Sequence, residues 1–308
     1  MRTLVASAAL LAAAALPAQS QRWTLQYEDT TYTGELSAVH FATAMAGTTV
    51  GKGIIFTTSD GGATWTRRDG VVGARGGGLF GVYMTDATHA FAVGANGRVA
   101  RTADGGVTWT QLRPTSEELK AIAFSDANHG IAVGRNGAIV RTTDGGTTWR
   151  VQVSGTTEDL KAVSFVDTNT ATAVGTLGVI LRSTDGGATW MKQVSGLKSE
   201  ITGVSFTAPA TGSAVGAFGK IIRTTDGGAT WKPQVNPTTE NLTAVTFVDA
   251  KTGIAVGDLG TVLRTSNGGT TWVFQKVTPS RQLNGLSFTD ANTGTIVGSL
   301  TTIMRTSK

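Results

Sequence analysis

Arg141-Thr142-Thr143-Asp144-Gly145-Gly146-Thr147-Thr148-Trp149 is one copy of a phrase that recurs along the chain. Its anchoring residue falls at Asp60, Asp104, Asp144, Asp185, Asp226 and Asn267, in steps of 44, 40, 41, 41 and 41 residues. A period near forty, made of short apolar segments with turn residues between them, marks a repeat fold in which each repeat is one small sheet. Each phrase closes on a tryptophan: Trp65, Trp109, Trp149, Trp190, Trp231 and Trp272. The seventh, Trp23, has no phrase in front of it. The missing front half stands at the other end, where Ile303-Met304-Arg305-Thr306-Ser307-Lys308 aligns with Val262-Leu263-Arg264-Thr265-Ser266-Asn267. The segment from Arg22 to Tyr27 is therefore predicted to complete the last repeat, closing a ring and removing two open sheet edges.

Within one repeat, Leu160–Phe165 reads as a first strand, Ala171 to Gly175 as a second, Gly178 to Arg182 as a third and Thr189 to Gln193 as a fourth, with turn residues between them. The third residue of the first strand is always small: Ala38, Gly81, Ala121, Ala162, Gly203, Ala244 or Gly285. Three residues later stands Phe41, Met84, Phe124, Phe165, Phe206, Phe247 or Phe288. Small residues suit strands crowding a central axis, and large apolar ones suit the space between sheets. The prediction is an all-β, seven-bladed β-propeller with four antiparallel strands per blade, in which the N-terminal strand completes the last blade.

Met1-Arg2-Thr3 and the apolar run Leu4 to Leu16, ending at Ala18-Gln19-Ser20, read as a signal peptide over residues 1–20, too short to span a bilayer. Residues 21–308 are then expected to form a single propeller, exported to a periplasm or the exterior, with no transmembrane segment after cleavage. The chain has no cysteine, which excludes disulfides and thiolate chemistry. A net charge of +5 with no aromatic-interleaved basic stripe gives no reason to expect a nucleic-acid partner.

The phrase has a structural logic: a carboxylate accepts backbone N–H groups while the Gly pair takes positive φ, making a tight hairpin. The boxes at Asp60, Asp104, Asp144, Asp185, Asp226 and Asn267 are read as structural, because chemistry needs an asymmetric site and these residues recur once per blade. Three residues before each anchor stands Arg101, Arg141, Arg182, Arg223, Arg264 or Arg305, with Thr57 in the first blade. This ring of arginines is a candidate binding surface. If the hairpin pairs each Arg with its own box Trp, the two also stack. The longest repeat carries Arg67, Arg68 and Arg75 on a glycine-rich stretch ending at Gly78, a second binding candidate. Glu35, Glu118, Asp159, Glu200 and Glu240 recur before the inner strands, so one face is expected to be acidic and the other basic. His89 and His129 occupy turn positions, His40 lies on an inner strand, and no metal set can be assembled from them.

Together the boxes, the Gly-x-Ala-Val-Gly strands (Gly130 to Gly134, Gly253 to Gly257) and the Asp-x-Asn-x-Gly turns (Asp126 to Gly130, Asp290 to Gly294) resemble the photosystem II stability/assembly factor family, within the wider group of Asp-box or BNR-type repeats. The resemblance covers residues 22 to 308. It implies a cofactor-free protein that binds membrane-protein assembly intermediates through an arginine-rich surface, and the leading expectation is a monomeric, non-catalytic scaffold for a membrane protein or assembly intermediate. The alternative class is an Asp-box glycoside hydrolase or carbohydrate-binding propeller. Seven blades, three tyrosines and no long loop to wall a cleft speak against the hydrolase.

Overall fold

The computed structural model describes residues 22–29, 34–68, 77–275 and 277–307. Among them the strands form seven four-stranded antiparallel sheets arranged as the blades of a propeller. Blade 3 serves as the pattern: an inner strand Leu119–Phe124, then Gly130–Gly134, Ile139–Thr142 and the outer strand Arg150–Gln152. In the seventh sheet, Leu283–Phe288, Gly294–Gly298 and Ile303–Ser307 are joined by Arg22–Tyr27, which pairs antiparallel to Ile303–Ser307 with Trp23 opposite Thr306. The predicted closure is observed.

Strand bounds differ from the sequence reading in two places of blade 4. The third strand is Ile180–Ser183, because Gly178, at φ 71°, still belongs to the turn Thr176–Gly178. The outer strand is Met191–Gln193, because Thr189 and Trp190 complete the box before the ladder resumes.

Small residues stand where the inner strands nearly touch. A Cβ at Gly81, Gly203 or Gly285 would lie 3.0, 3.1 or 2.9 Å from the Cα of Ala121, Ala244 or Ala38 in the next blade. Core packing therefore lies between consecutive blades. Ile131, Val133 and Ile139 of blade 3 pack on Leu160, Ala173 and Leu181 of blade 4. The seam between blades 7 and 1 is sealed in the same way by Val297 and Ile303 against Leu36, Ile54 and Phe56. Tyr27 adds a ring contact to Phe56 at 5.1 Å, and Arg281 bonds Glu28 at 2.7 Å. In blades 1, 3, 5 and 6 the inner-strand phenylalanine meets the box tryptophan edge to face, as in Phe124–Trp149 at 6.0 Å and Phe247–Trp272 at 5.8 Å. Trp23 repeats this contact on Phe288 at 6.0 Å. The phenylalanine ring also covers the first residue of the second strand, where a Cβ on Gly130 would lie 2.6 Å from Phe124.

Every box is a closed hydrogen-bond unit. In blade 3 the Thr142 hydroxyl donates to Asp144 Oδ1 at 2.8 Å and accepts the Gly146 N–H at 2.9 Å. The Thr148 N–H donates to Oδ1 at 2.9 Å and its hydroxyl to Oδ2 at 2.6 Å. These bonds favour the ionised carboxylate. Hydrogen bonds from Thr148, Thr189 and Thr230 hold Asp144, Asp185 and Asp226 down to about 2, and Thr64 and Thr108 hold Asp60 and Asp104 lower still. In blade 6 an amide does the same work, Asn267 accepting from Thr265 and the Thr271 N–H while donating to the Thr271 hydroxyl at 2.9 Å.

Two outcomes are expected. Deleting residues 22–27 strips the outer strand and Trp23 from blade 7, and should lower unfolding free energy by roughly 3–5 kcal/mol in urea titration; an unchanged midpoint would refute the closure. The box carboxylates have folded pKa values below the unfolded value of about 3.9, so their contribution is complete above pH ~4 and fades as pH falls towards ~2. Asp144→Asn, which copies Asn267, should keep the fold and flatten that acid limb. Asp144→Ala should cost about 1 kcal/mol at neutral pH by leaving the Thr148 N–H without its acceptor.

Candidate functional site

The box hairpins and the turns between inner and second strands emerge at one end of the ring, and the six recurrent arginines lie just below the boxes. The register is one residue removed from the sequence expectation. Arg141 faces Arg150, Arg182 faces Met191, Arg223 faces Lys232 and Arg264 faces Val273, so no Arg pairs with its own tryptophan. The tryptophan ends the box turn and does not enter the ladder, which displaces the pairing by one. The aromatic partners are instead phenylalanines: Arg182 lies over Phe206 at 4.5 Å, Arg305 over Phe41 at 5.2 Å and Arg101 over Phe91 at 5.8 Å.

Each arginine reaches into the following blade. Arg141 Nε donates to the carbonyl of Gly186 at 2.7 Å, and Arg223 Nε donates to that of Gly268 at 2.7 Å, both in the next box. Arg264 donates to Ala291 O at 2.9 Å, and Arg305 to Ala44 O at 3.4 Å, in the next blade's first turn. Arg182, only 8% exposed, bonds Pro209 O across the seam and the Thr172 hydroxyl at 2.8 Å in its own blade. Arg101 makes the weakest of these contacts, 3.5 Å to the Thr147 hydroxyl. Burial pulls Arg182, Arg264 and Arg305 below the usual arginine range, while Asp167, Asp249 and Asp290 oppose the shift. The ring of arginines is thus a ring of latches between blades. In two members both terminal nitrogens are left over: Arg141 and Arg223 are anchored through Nε, and neither Nη1 nor Nη2 makes a hydrogen bond among the described residues.

Thr57 leaves the first blade without this arginine, and Arg68 compensates, its Nε donating to the Thr57 hydroxyl at 3.0 Å. Arg67 is exposed on the outer strand Thr66–Arg67. Arg75 and most of the glycine-rich stretch lie outside the described residues.

The expected division into a basic and an acidic face is not found. Asp60, Asp104, Asp144, Asp185 and Asp226 share the arginine face with Asp86, Asp126 and Asp167 of the turns. At the opposite end Glu118 pairs with Lys120 at 2.6 Å and Glu200 with Lys161 at 2.9 Å, and Asp159 lies 4.0 Å from both Arg135 and Lys161. Pairing on each side removes the contrast that single residue types suggested.

Lys120 and Lys161 also line the axial channel, a space of about 340 Å³ shared with Phe80, Tyr83 and His40. His40 is stacked on Tyr83 at 4.2 Å, and its Nδ1 accepts the Met84 N–H of the next blade at 3.1 Å. That bond requires a neutral ring at Nδ1, and desolvation lowers its pKa to about 4. Ser205 and Ser287 accept the Phe247 and Phe41 N–H groups in the same way. The sequence reading found no partner for His40 because the partner is a backbone group of the next blade. His89 and His129 bond Asp86 and Asp126 inside their turns, at 2.8 and 2.9 Å.

No helix among the described residues is long and apolar enough to cross a membrane. Solved structures of similar shape include YCF48 bound to D1 peptide, 20% identical, with a TM-score of 0.78 over 96% of this chain and 97% of that one. YCF48 from Cyanidioschyzon merolae is 20% identical, with a TM-score of 0.73 over 92% and 98%. U3-55K, at 7% identity, reaches 0.76 over 93% and 98%, so the fold alone carries no single function. No curated protein matches the sequence. The profile of the photosynthesis system II assembly factor YCF48 family matches residues 111–236 and 191–273, which together span more than half of the chain. This propeller therefore belongs to the photosynthesis system II assembly factor YCF48 family.

Proposed function

We propose that the chain is a non-catalytic, exported scaffold that binds a segment of a membrane protein on its box face, with Arg141 and Arg223 as the contact arms. The observation that carries this reading is their geometry. Each guanidinium is fixed through Nε to a neighbouring blade, which lowers the entropy lost on binding, and presents its two terminal nitrogens to an incoming carboxylate or carbonyl. The similar structure of YCF48 bound to D1 peptide supports a peptide as ligand. The box carboxylates give no support to hydrolysis, since each is engaged by the threonines of its own turn and the arrangement repeats from blade to blade. Residues 1–20 are taken as the signal peptide and 21–308 as the single folded domain. Amino-terminal sequencing of the protein from an envelope fraction should then begin at Gln21.

The double variant Arg141→Gln, Arg223→Gln should weaken binding of a membrane-protein partner captured by crosslinking at least tenfold, and should reduce the decline of affinity with rising salt. Wild-type affinity and salt dependence in the double variant would overturn the reading, and Arg67→Gln, Arg68→Gln in parallel tests the neighbouring edge. Arg182→Gln separates the latch from the arm. It removes the bonds to Pro209 and Thr172 and the stack on Phe206, and should cost roughly 2–3 kcal/mol of stability.

A further inference from the structure

At the end of the ring opposite the boxes, the second and third strands of each blade are joined by a tight turn. In blades 2 and 3 its tip is Asn96 or Asn136, at φ 56° and 52°, followed by Gly97 or Gly137. Asn-Gly suits two successive positive-φ residues, because asparagine tolerates the left-handed region and glycine has no Cβ to clash. Blades 4, 5 and 6 hold the same conformation with Leu177, Phe218 and Leu259, at φ 52°, 58° and 53°. Bulky side chains disfavour this backbone, and burial does not compensate them: they are 66%, 69% and 68% exposed. Blade 7 places Leu300 at the same point, at φ 54°, half-buried; four consecutive blades thus depart from asparagine, and in three of them, blades 4 to 6, the bulky side chain stands exposed.

We propose that Leu177, Phe218 and Leu259 form a docking arc, distinct from the arginine face, for a segment of another protein that carries apolar side chains flanked by basic ones. The surrounding charge selects this occupant. Asp258 adjoins Leu259, and Glu158 accepts the hydroxyl of Thr176 beside Leu177 at 2.9 Å. Glu240 precedes Asn241, whose side-chain oxygen accepts the Phe218 N–H at 2.9 Å. These three carboxylates make no ion pair among the described residues, and they outnumber the two exposed lysines of the arc, Lys198 and Lys220. Insertion of the tips into a bilayer would bury Asp258 and Glu158 with them, which opposes a lipid surface. A two-fold dimer through this arc would set like carboxylates against each other, which opposes a second copy. A basic-flanked apolar segment fills the exposed tips and answers the carboxylates together.

The test uses the full chain and its triple variant Leu177→Asn, Phe218→Asn, Leu259→Asn, which writes the turn tips of blades 2 and 3 into blades 4 to 6. The probes are a synthetic peptide with a Leu/Phe core and Arg flanks, its counterpart with Glu flanks, and phosphatidylcholine vesicles, with sedimentation reporting self-association. The wild type should prefer the Arg-flanked peptide, and the variant should bind it at least tenfold more weakly while melting at or above the wild-type temperature. Equal binding by the two proteins, a lower melting temperature of the variant, preference for the Glu-flanked peptide, vesicle binding by the wild type, or a dimer that the variant loses would each overturn the proposal. The arginine variants Arg141→Gln and Arg223→Gln leave this arc untouched, so failure here and failure of the box-face reading are separable.

Discussion

The structure depends on how closely seven inner strands can approach one another around an axis. Where a Cβ on Gly81 or Gly285 would fall about 3 Å from the backbone of the next blade, no larger side chain fits without pushing the blades apart. That contact sets the spacing from which the rest follows. Each sheet is left with a wide outer part that must be filled, and the tryptophan beneath each box turn fills it, edge-packed on an inner-strand phenylalanine in blades 1, 3, 5 and 6 and against Met84 in blade 2. The hydrophobic interior is accordingly a set of layers between blades, and each blade is stable only with its neighbours in place.

Polar side chains at the seams repeat the same directional logic. Thr243 donates to Leu283 O at 2.6 Å, and Asn284 donates to Leu36 O at 2.9 Å. Ser205, Ser287 and His40 accept the N–H of the next inner strand, and the arginines reach the next box or turn. Every one of these bonds runs from one blade to the blade that follows it. The last blade bonds the first in the same sense, so closure adds one more copy of a seam already present throughout the ring.

Much of this was legible in the sequence. The period of the boxes specifies the blade count, and the alignment of Ile303 to Lys308 with the front of a box, together with the unaccompanied Trp23, specifies the closure. The small residue at Ala121 and the large one at Phe124 place the axis and the filling. What escaped was register and partnership. A pairing of Arg141 with Trp149 is natural if the ladder runs up to the box, and it fails because the turn consumes the tryptophan. The contrast of acidic and basic faces failed because Lys120, Lys161 and the turn aspartates are placed by the pleat, which a list of charges does not contain. The partners of Arg141 and His40 lie about 44 residues away in the next blade, beyond the reach of any local pattern.

A repeated fold separates structural from functional residues by its own internal comparison. Asp144 and Trp149 recur because every blade must close a hairpin, so their recurrence argues for folding. Thr57 departs from the arginine pattern, yet Arg68 restores a guanidinium at that place, so this departure is repaired within the fold. Leu177, Phe218 and Leu259 depart from asparagine in the direction that folding disfavours, and nothing in their own blades compensates them. A departure that is repaired points to the fold, and one that is left unrepaired on three consecutive blades points outward, to something that meets the ring from that end.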